Sequence, residues 1–102
     1  MKARFVIILI STALCLSSTV VLAGDPFSGA NIYTDHCASC HGGDGRGDVA
    51  GVPSFRGGTL MMRTESELQN TIRSGKNLMP AFSGILEDYQ IDDVVSYIRT
   101  FN

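Results

Sequence analysis

All eleven glycines of this 102-residue chain fall in residues 24–102, and that density limits what the segment can build. Glycine loses more backbone freedom on folding than any other residue. A segment of that length also buries too small a share of its surface to be secure alone. Its fold therefore needs something beyond its own side chains, whether disulfides, a metal or a cofactor. The length allows one small domain, and neither a solenoid repeat nor a collagen-like glycine period is present.

Residues 1–23 have a separate purpose. Lys2 and Arg4 precede an apolar run from Phe5 to Leu16, which fades through Ser17, Ser18 and Thr19 into Val21-Leu22-Ala23. A basic start, an apolar middle and a small residue before a turn-forming Gly24 predict a secretory signal over 1–23, cleaved after Ala23. An uncleaved anchor is the rival, since Phe5 to Ala23 is just long enough to span a bilayer. The polar residues near its end favour removal. Lipid attachment at Cys15 is disfavoured by the bulky Leu14 before it.

The remaining domain, residues 24–102, keeps six basic side chains and ten carboxylates, a formal charge of −4. Nucleic acid and anionic lipid both require a basic footprint, so neither is an expected partner. With the signal removed, no stable membrane association is expected.

Cys15 leaves with the signal, and Cys37 and Cys40 remain in Cys37-Ala38-Ser39-Cys40-His41. This Cys-x-x-Cys-His pattern is the attachment sequence of a c-type haem. Two thiols three residues apart at the start of a helix reach the two vinyl groups on one porphyrin edge. His41 follows directly, aimed at the iron as proximal ligand. A zinc site would need a second ligand pair, and only His36 lies outside the pattern. A disulfide across so short a loop stabilises little. A thioredoxin-like dithiol needs flanking strands, whereas these flanks have helical character.

The spacing of apolar residues predicts an all-α fold. Asp25 and Pro26 suit a cap and first turn ahead of Ile32, Tyr33 and His36, with Gly29 permitting a close helix crossing. The run Gly42–Asp48 is loop. Thr64 and Glu67 form a capping box for a helix through Leu68, Thr71 and Ile72 that stops at Gly75. Ile91, Val94, Val95, Ile98 and Phe101 recur at helical spacing, with Asp92, Asp93, Ser96 and Arg99 off the stripe and Arg99 late, as the helix dipole prefers. That last helix lacks a Ser or Thr cap near Glu87 and Asp88.

The sixth iron ligand separates a carrier from a reactive centre. Met61, Met62 and Met79 are the candidates in the domain. Met79 is favoured: it lies in the irregular stretch between two helices, and Pro80 forces it out of helical geometry and stiffens the loop. Met61 and Met62 are expected to pack under the haem edge. His36 adjoins the proximal cysteine and is expected to be solvated or packed rather than a ligand. Arg56, Arg63 and Lys76 are expected as solvated charge, with pairing to haem propionates as the alternative.

These residues together resemble the class I c-type cytochromes, the small monohaem kind of bacterial periplasms. Cys37 to Gly42 resembles the family's haem motif, Met79-Pro80-Ala81-Phe82 its distal loop, and Gly29 with Tyr33 its first helix contact. Ile91 to Ile98 resembles its C-terminal helix, whose aromatic Tyr97 packs on the first. Pro53 resembles the family proline whose carbonyl orients the proximal imidazole. The missing tryptophan and the single domain lysine, Lys76, depart from relatives that dock through a lysine ring.

The resemblance implies a small cytochrome c fold, three to four helices around one covalently attached haem c. It implies attachment at Cys37 and Cys40 and iron ligation by His41 and Met79. The implied function is periplasmic electron transfer by a monomer between redox partner proteins, with no enzymatic step. The alternatives are a haem sensor or peroxidase-like enzyme with an open iron, or a haem-delivery factor. Because the chain is short of core, a Cys37→Ala, Cys40→Ala double variant should be largely unfolded by circular dichroism. Full native helicity in that variant would contradict the reading.

Overall fold

The computed structural model describes residues 23–101. They form helix α1 at Pro26–His36, the single turn α2 at Ala38–His41, a 3₁₀ turn at Thr59–Met62, α3 at Glu65–Ser74 and α4 at Asp88–Ile98. Among the described residues there is no strand beyond two isolated bridges. No helix among them is long and apolar enough to cross a membrane. The export-signal segment, apart from Ala23, lies outside the described residues.

The helix starts follow local chemistry. At α1 the Asp25 carboxylate accepts from the Phe27 N–H at 2.9 Å and the Ser28 hydroxyl at 2.7 Å, and Pro26 opens the first turn. These bonds, Ser28 foremost, hold the Asp25 carboxyl below its ordinary pKa. At α3 the Glu67 N–H donates to the Thr64 hydroxyl at 3.2 Å, and the Glu67 carboxylate accepts from the Thr64 N–H at 2.7 Å. At α4 the Gln90 side chain accepts from the Glu87 N–H at 2.9 Å. A Glu-x-x-Gln pair thus opens α4 without Ser or Thr.

The centre of the molecule is the crossing of α1 with α4. A Cβ placed on Gly29 would lie 2.0 Å from the Asp93 carbonyl oxygen, so the two backbones meet there. Tyr33, one turn further along α1, is 1% exposed, with its ring centroid 5.3 Å from that of Tyr97 and 5.1 Å from that of Phe101. The Asp25 N–H donates to Asp93 Oδ1 at 2.7 Å and ties the start of α1 to the middle of α4. All five apolar residues of the C-terminal stripe are buried, as their period predicts. Each contributes about 1.5–3 kcal/mol by leaving water. Helix α3 leans on α4 through Leu68 and Ile72, with the Gln69 amide donating to Asp92 at 2.8 Å.

The long connections are irregular but tied to helix ends. The Gly47 and Asp48 N–H groups donate to the His41 and Cys40 carbonyls at 2.7 and 3.0 Å. The Phe82 and Ser83 N–H groups donate to the Ile72 and Arg73 carbonyls at 2.9 and 3.2 Å. Helix-end carbonyls that lack an internal partner are thereby satisfied by the loops they position.

Gly29→Ala should destabilise the haem-loaded protein by about 1–3 kcal/mol, since neither backbone can yield without moving a helix. Gly43→Ala, where an added methyl meets nothing within 4 Å, should be nearly neutral. Guanidinium midpoints measure both.

Candidate functional site

Between α2, α3 and the two connections lies a cavity of about 660 Å³. Its wall includes Cys37, Cys40 and His41 from the turn of α2 and Met79 from the connection after α3. The remainder is mainly apolar, with Val52, Leu68 and Ile72 prominent, and among the described residues no carboxylate lines it.

Cys37 is where α1 stops: its N–H still donates to the Tyr33 carbonyl at 2.8 Å, and α2 starts at the next residue. The Cys40 and His41 N–H groups fold back onto the Cys37 carbonyl at 3.3 and 2.9 Å, which closes the turn. Gly42 ends it with a φ of +82°. The Tyr33 hydroxyl, buried, donates to the Gly42 carbonyl at 2.6 Å. That bond links the helix crossing to the residue beside His41, and burial pushes the Tyr33 phenol well above its ordinary pKa. No disulfide joins Cys37 to Cys40. Burial, and then the neighbouring Cys40, push the Cys37 thiol up to about 11.

The His41 ring stacks on Phe55, with centroids 4.6 Å apart and planes 23° from parallel. Burial lowers its pKa below the ordinary histidine value, and the nearby Pro53 carbonyl opposes that by a smaller amount. The net effect favours the neutral imidazole, the form that ligates a metal. His41 Nδ1 is buried and has no hydrogen bond of full geometry, although Pro53 stands beside the ring.

Met79 is held by its backbone. It exchanges a pair of hydrogen bonds with Lys76, at 2.9 and 3.1 Å, across a tight turn in which Asn77 has a φ of +54°. Gly75, with a φ of +72°, ends α3 so close beneath that a Cβ there would be 2.6 Å from the Met79 carbonyl oxygen. Glycine is required at that point on both counts.

The other methionines behave differently from expectation. Met62 is 86% exposed, Met61 packs against the core, and neither lines the cavity. The reason is the 3₁₀ turn, whose three-residue period puts Leu60 and Arg63 on the cavity side. Arg99 holds this segment in place, donating to the Met61 and Arg63 carbonyls at 2.8 and 2.5 Å. It therefore acts as a clamp on the cavity wall rather than as a simple dipole partner at the end of α4.

Arg63 and Lys76 are exposed, as expected of solvated charge, and stand at the cavity wall. Arg56 donates to the Asp44 carbonyl at 2.5 Å and lies over the Phe101 ring. His36 is exposed at the cavity rim, its ring 5.9 Å from that of Phe82. Three contributors escape sequence reasoning: Phe55, the Tyr33 hydroxyl and Arg99. Phe55 is the lone aromatic between His41 and α3, which is a usable signal. Arg99 has none, because its partners are 36 and 38 residues away.

The residues fit a haem. The volume is within the range of about 300–1,000 Å³ usual for cofactor sites, and the wall is apolar. Two cysteine sulfurs, an imidazole and a thioether converge on it. A helical shell around such a pocket is that of a small haem protein.

Comparison with known proteins agrees. Residues 24–98 match the family model described as cytochrome c oxidase, cbb3-type, subunit III. Cytochrome c6 of Thermosynechococcus vestitus is 37% identical, over 96% of this chain and 91% of that protein. Cytochrome c6 of a Nostoc species is 36% identical, over 96% and 92%. Among solved structures, cytochrome c6 from the diatom Phaeodactylum tricornutum superposes with a TM-score of 0.67 at 32% identity, covering 76% of this chain and 93% of that one. The KustC0563 c-type cytochrome gives a TM-score of 0.68 at 25% identity, covering 72% and 96%. The chain belongs to the cytochrome c family, as a small monohaem electron-transfer member with one covalently attached haem c.

Arg99→Ala should cost about 1–3 kcal/mol by stripping two carbonyls of a charged donor. Arg99→Lys, with a single ammonium in place of a planar fork, should recover at most half of that by thermal or guanidinium unfolding.

Proposed function

We propose that this chain is an exported carrier of single electrons, working in the periplasm as a monomer once residues 1–23 are removed. Cys37 and Cys40 would hold the haem by thioether bonds, and His41 and Met79 would ligate its iron. The observation that supports this most is that all four side chains line one apolar cavity. When bound, the haem supplies reversible one-electron chemistry at its iron.

The chain's own residues do the rest. Both ligands are neutral, and among the described residues the wall around them lacks carboxylates, so the less charged, reduced iron is favoured. His41 is kept in place by the α2 turn and the Tyr33–Gly42 bond. Met79 is kept in place by the turn to Lys76 and by Pro80. A thioether is a weak ligand, so this rigidity is what keeps it in reach. With His41 and Met79 both ligating, the iron would offer a substrate no open position, which suits a carrier without an enzymatic step. Exposed Leu78 and Val49 at the cavity suit a small, transient contact with redox partners.

The absorption spectrum of the oxidised protein tests the ligand set. Methionine ligation gives a weak long-wavelength sulfur-to-iron charge-transfer band. Met79→Ala should abolish that band and admit carbon monoxide to the reduced protein, whereas Met61→Ala and Met62→Ala should keep it. A wild-type protein that lacks the band and binds carbon monoxide rapidly would overturn the carrier reading in favour of an open-iron sensor or enzyme. Intact mass of the exported protein should show loss of residues 1–23 and one attached haem.

A further inference from the structure

We infer that Phe55 is a positioning residue that fixes the plane of the His41 imidazole and so sets the electronic axes of the iron. The inference rests on the reading of His41 as an axial ligand. A histidine ring turns about a soft terminal torsion, so its plane must be set by its surroundings. The Pro53 carbonyl beside Nδ1 offers an anchor at one ring atom, and what packs on the ring faces sets the plane with it. Against one face of the ring lies Phe55, at 4.6 Å and 23°. Offset stacking of this kind has a preferred plane, which an aliphatic neighbour of similar size lacks.

Phe55 is itself held. It is 6% exposed, and its N–H donates to the Gly45 carbonyl at 2.7 Å. Its ring is 5° from parallel with that of Phe101 at 6.2 Å, and Tyr33 meets it edge-on at 6.4 Å. Phe101 and Tyr33 belong to the α1–α4 crossing. The orientation of the proximal ring is thus referred, through stacked rings, to the buried crossing of α1 with α4. The plane of an axial imidazole decides which iron d orbital mixes with its π system. It therefore shows in the magnetic axes of the oxidised iron, independently of electron-transfer activity.

The test is NMR of the haem-loaded protein. In the wild type, the Phe55 and His41 ring protons should show direct nuclear Overhauser contacts, and their absence would overturn the inference even if no variant assembles. Phe55→Leu should reorder the paramagnetically shifted haem methyl signals, whereas Phe55→Tyr, which keeps the ring, should retain the wild-type order. Val94→Ala, a core truncation on α4, should lower stability without changing that order. An unchanged order in Phe55→Leu would refute the role of Phe55 alone. A wild-type protein without a low-spin histidine-ligated spectrum would instead refute the ligand reading beneath it.

Discussion

The backbone contact between α1 and α4 at Gly29 is the constraint on which the rest depends. Only a residue without a Cβ lets the Asp93 carbonyl come so near, and that approach closes the crossing over Tyr33. From there the chain of consequence is short. Tyr33 donates to the Gly42 carbonyl, which fixes the end of the α2 turn and hence the backbone beside His41. The ring stack of Tyr33, Phe101 and Phe55 reaches the His41 side chain from the other direction. One helix crossing therefore holds both the main chain and the ring of the proposed proximal ligand.

The cavity walls follow a second rule. Most of them are irregular backbone, which has no stability of its own. They are fixed because their N–H groups satisfy helix-end carbonyls: Gly47 and Asp48 on α2, Phe82 and Ser83 on α3. Arg99 does the same for the 3₁₀ turn from the far end of α4. The loops and helices are thus mutually dependent, and a covalently held cofactor completes a core that so short a chain could not supply.

Charge shows how far composition can mislead about a surface. The domain is formally −4, which by itself suggests a partner with a basic docking patch. Yet among the described residues no carboxylate lines the cavity, while Arg63 and Lys76 do. Several acids are engaged elsewhere: Asp25 and Glu67 at helix starts, Asp92 with Gln69, Asp93 with the Asp25 N–H, Asp88 with Arg73. Net charge says nothing of where on the fold the charges fall.

Much was legible along the chain because it depends on near neighbours. The Cys-x-x-Cys-His pattern, the Asp25 and Thr64 caps, the stop at Gly75 and the buried stripe of α4 are all set within a turn or two of helix. So is the placing of Met79 at the cavity wall, since Pro80 and Gly75 shape its loop locally. The start of α4 falls where expected, near Glu87 and Asp88, but its cap escaped notice because Gln90, rather than Ser or Thr, completes it. Tertiary structure alone decided that Met61 and Met62 leave the cavity to Leu60 and Arg63, that Arg99 clamps that turn, and that Phe55 stacks on His41. The physical reason is reach: covalent neighbours and helical period are written into the order of residues, whereas contacts between residues tens of positions apart exist only once the helices have crossed.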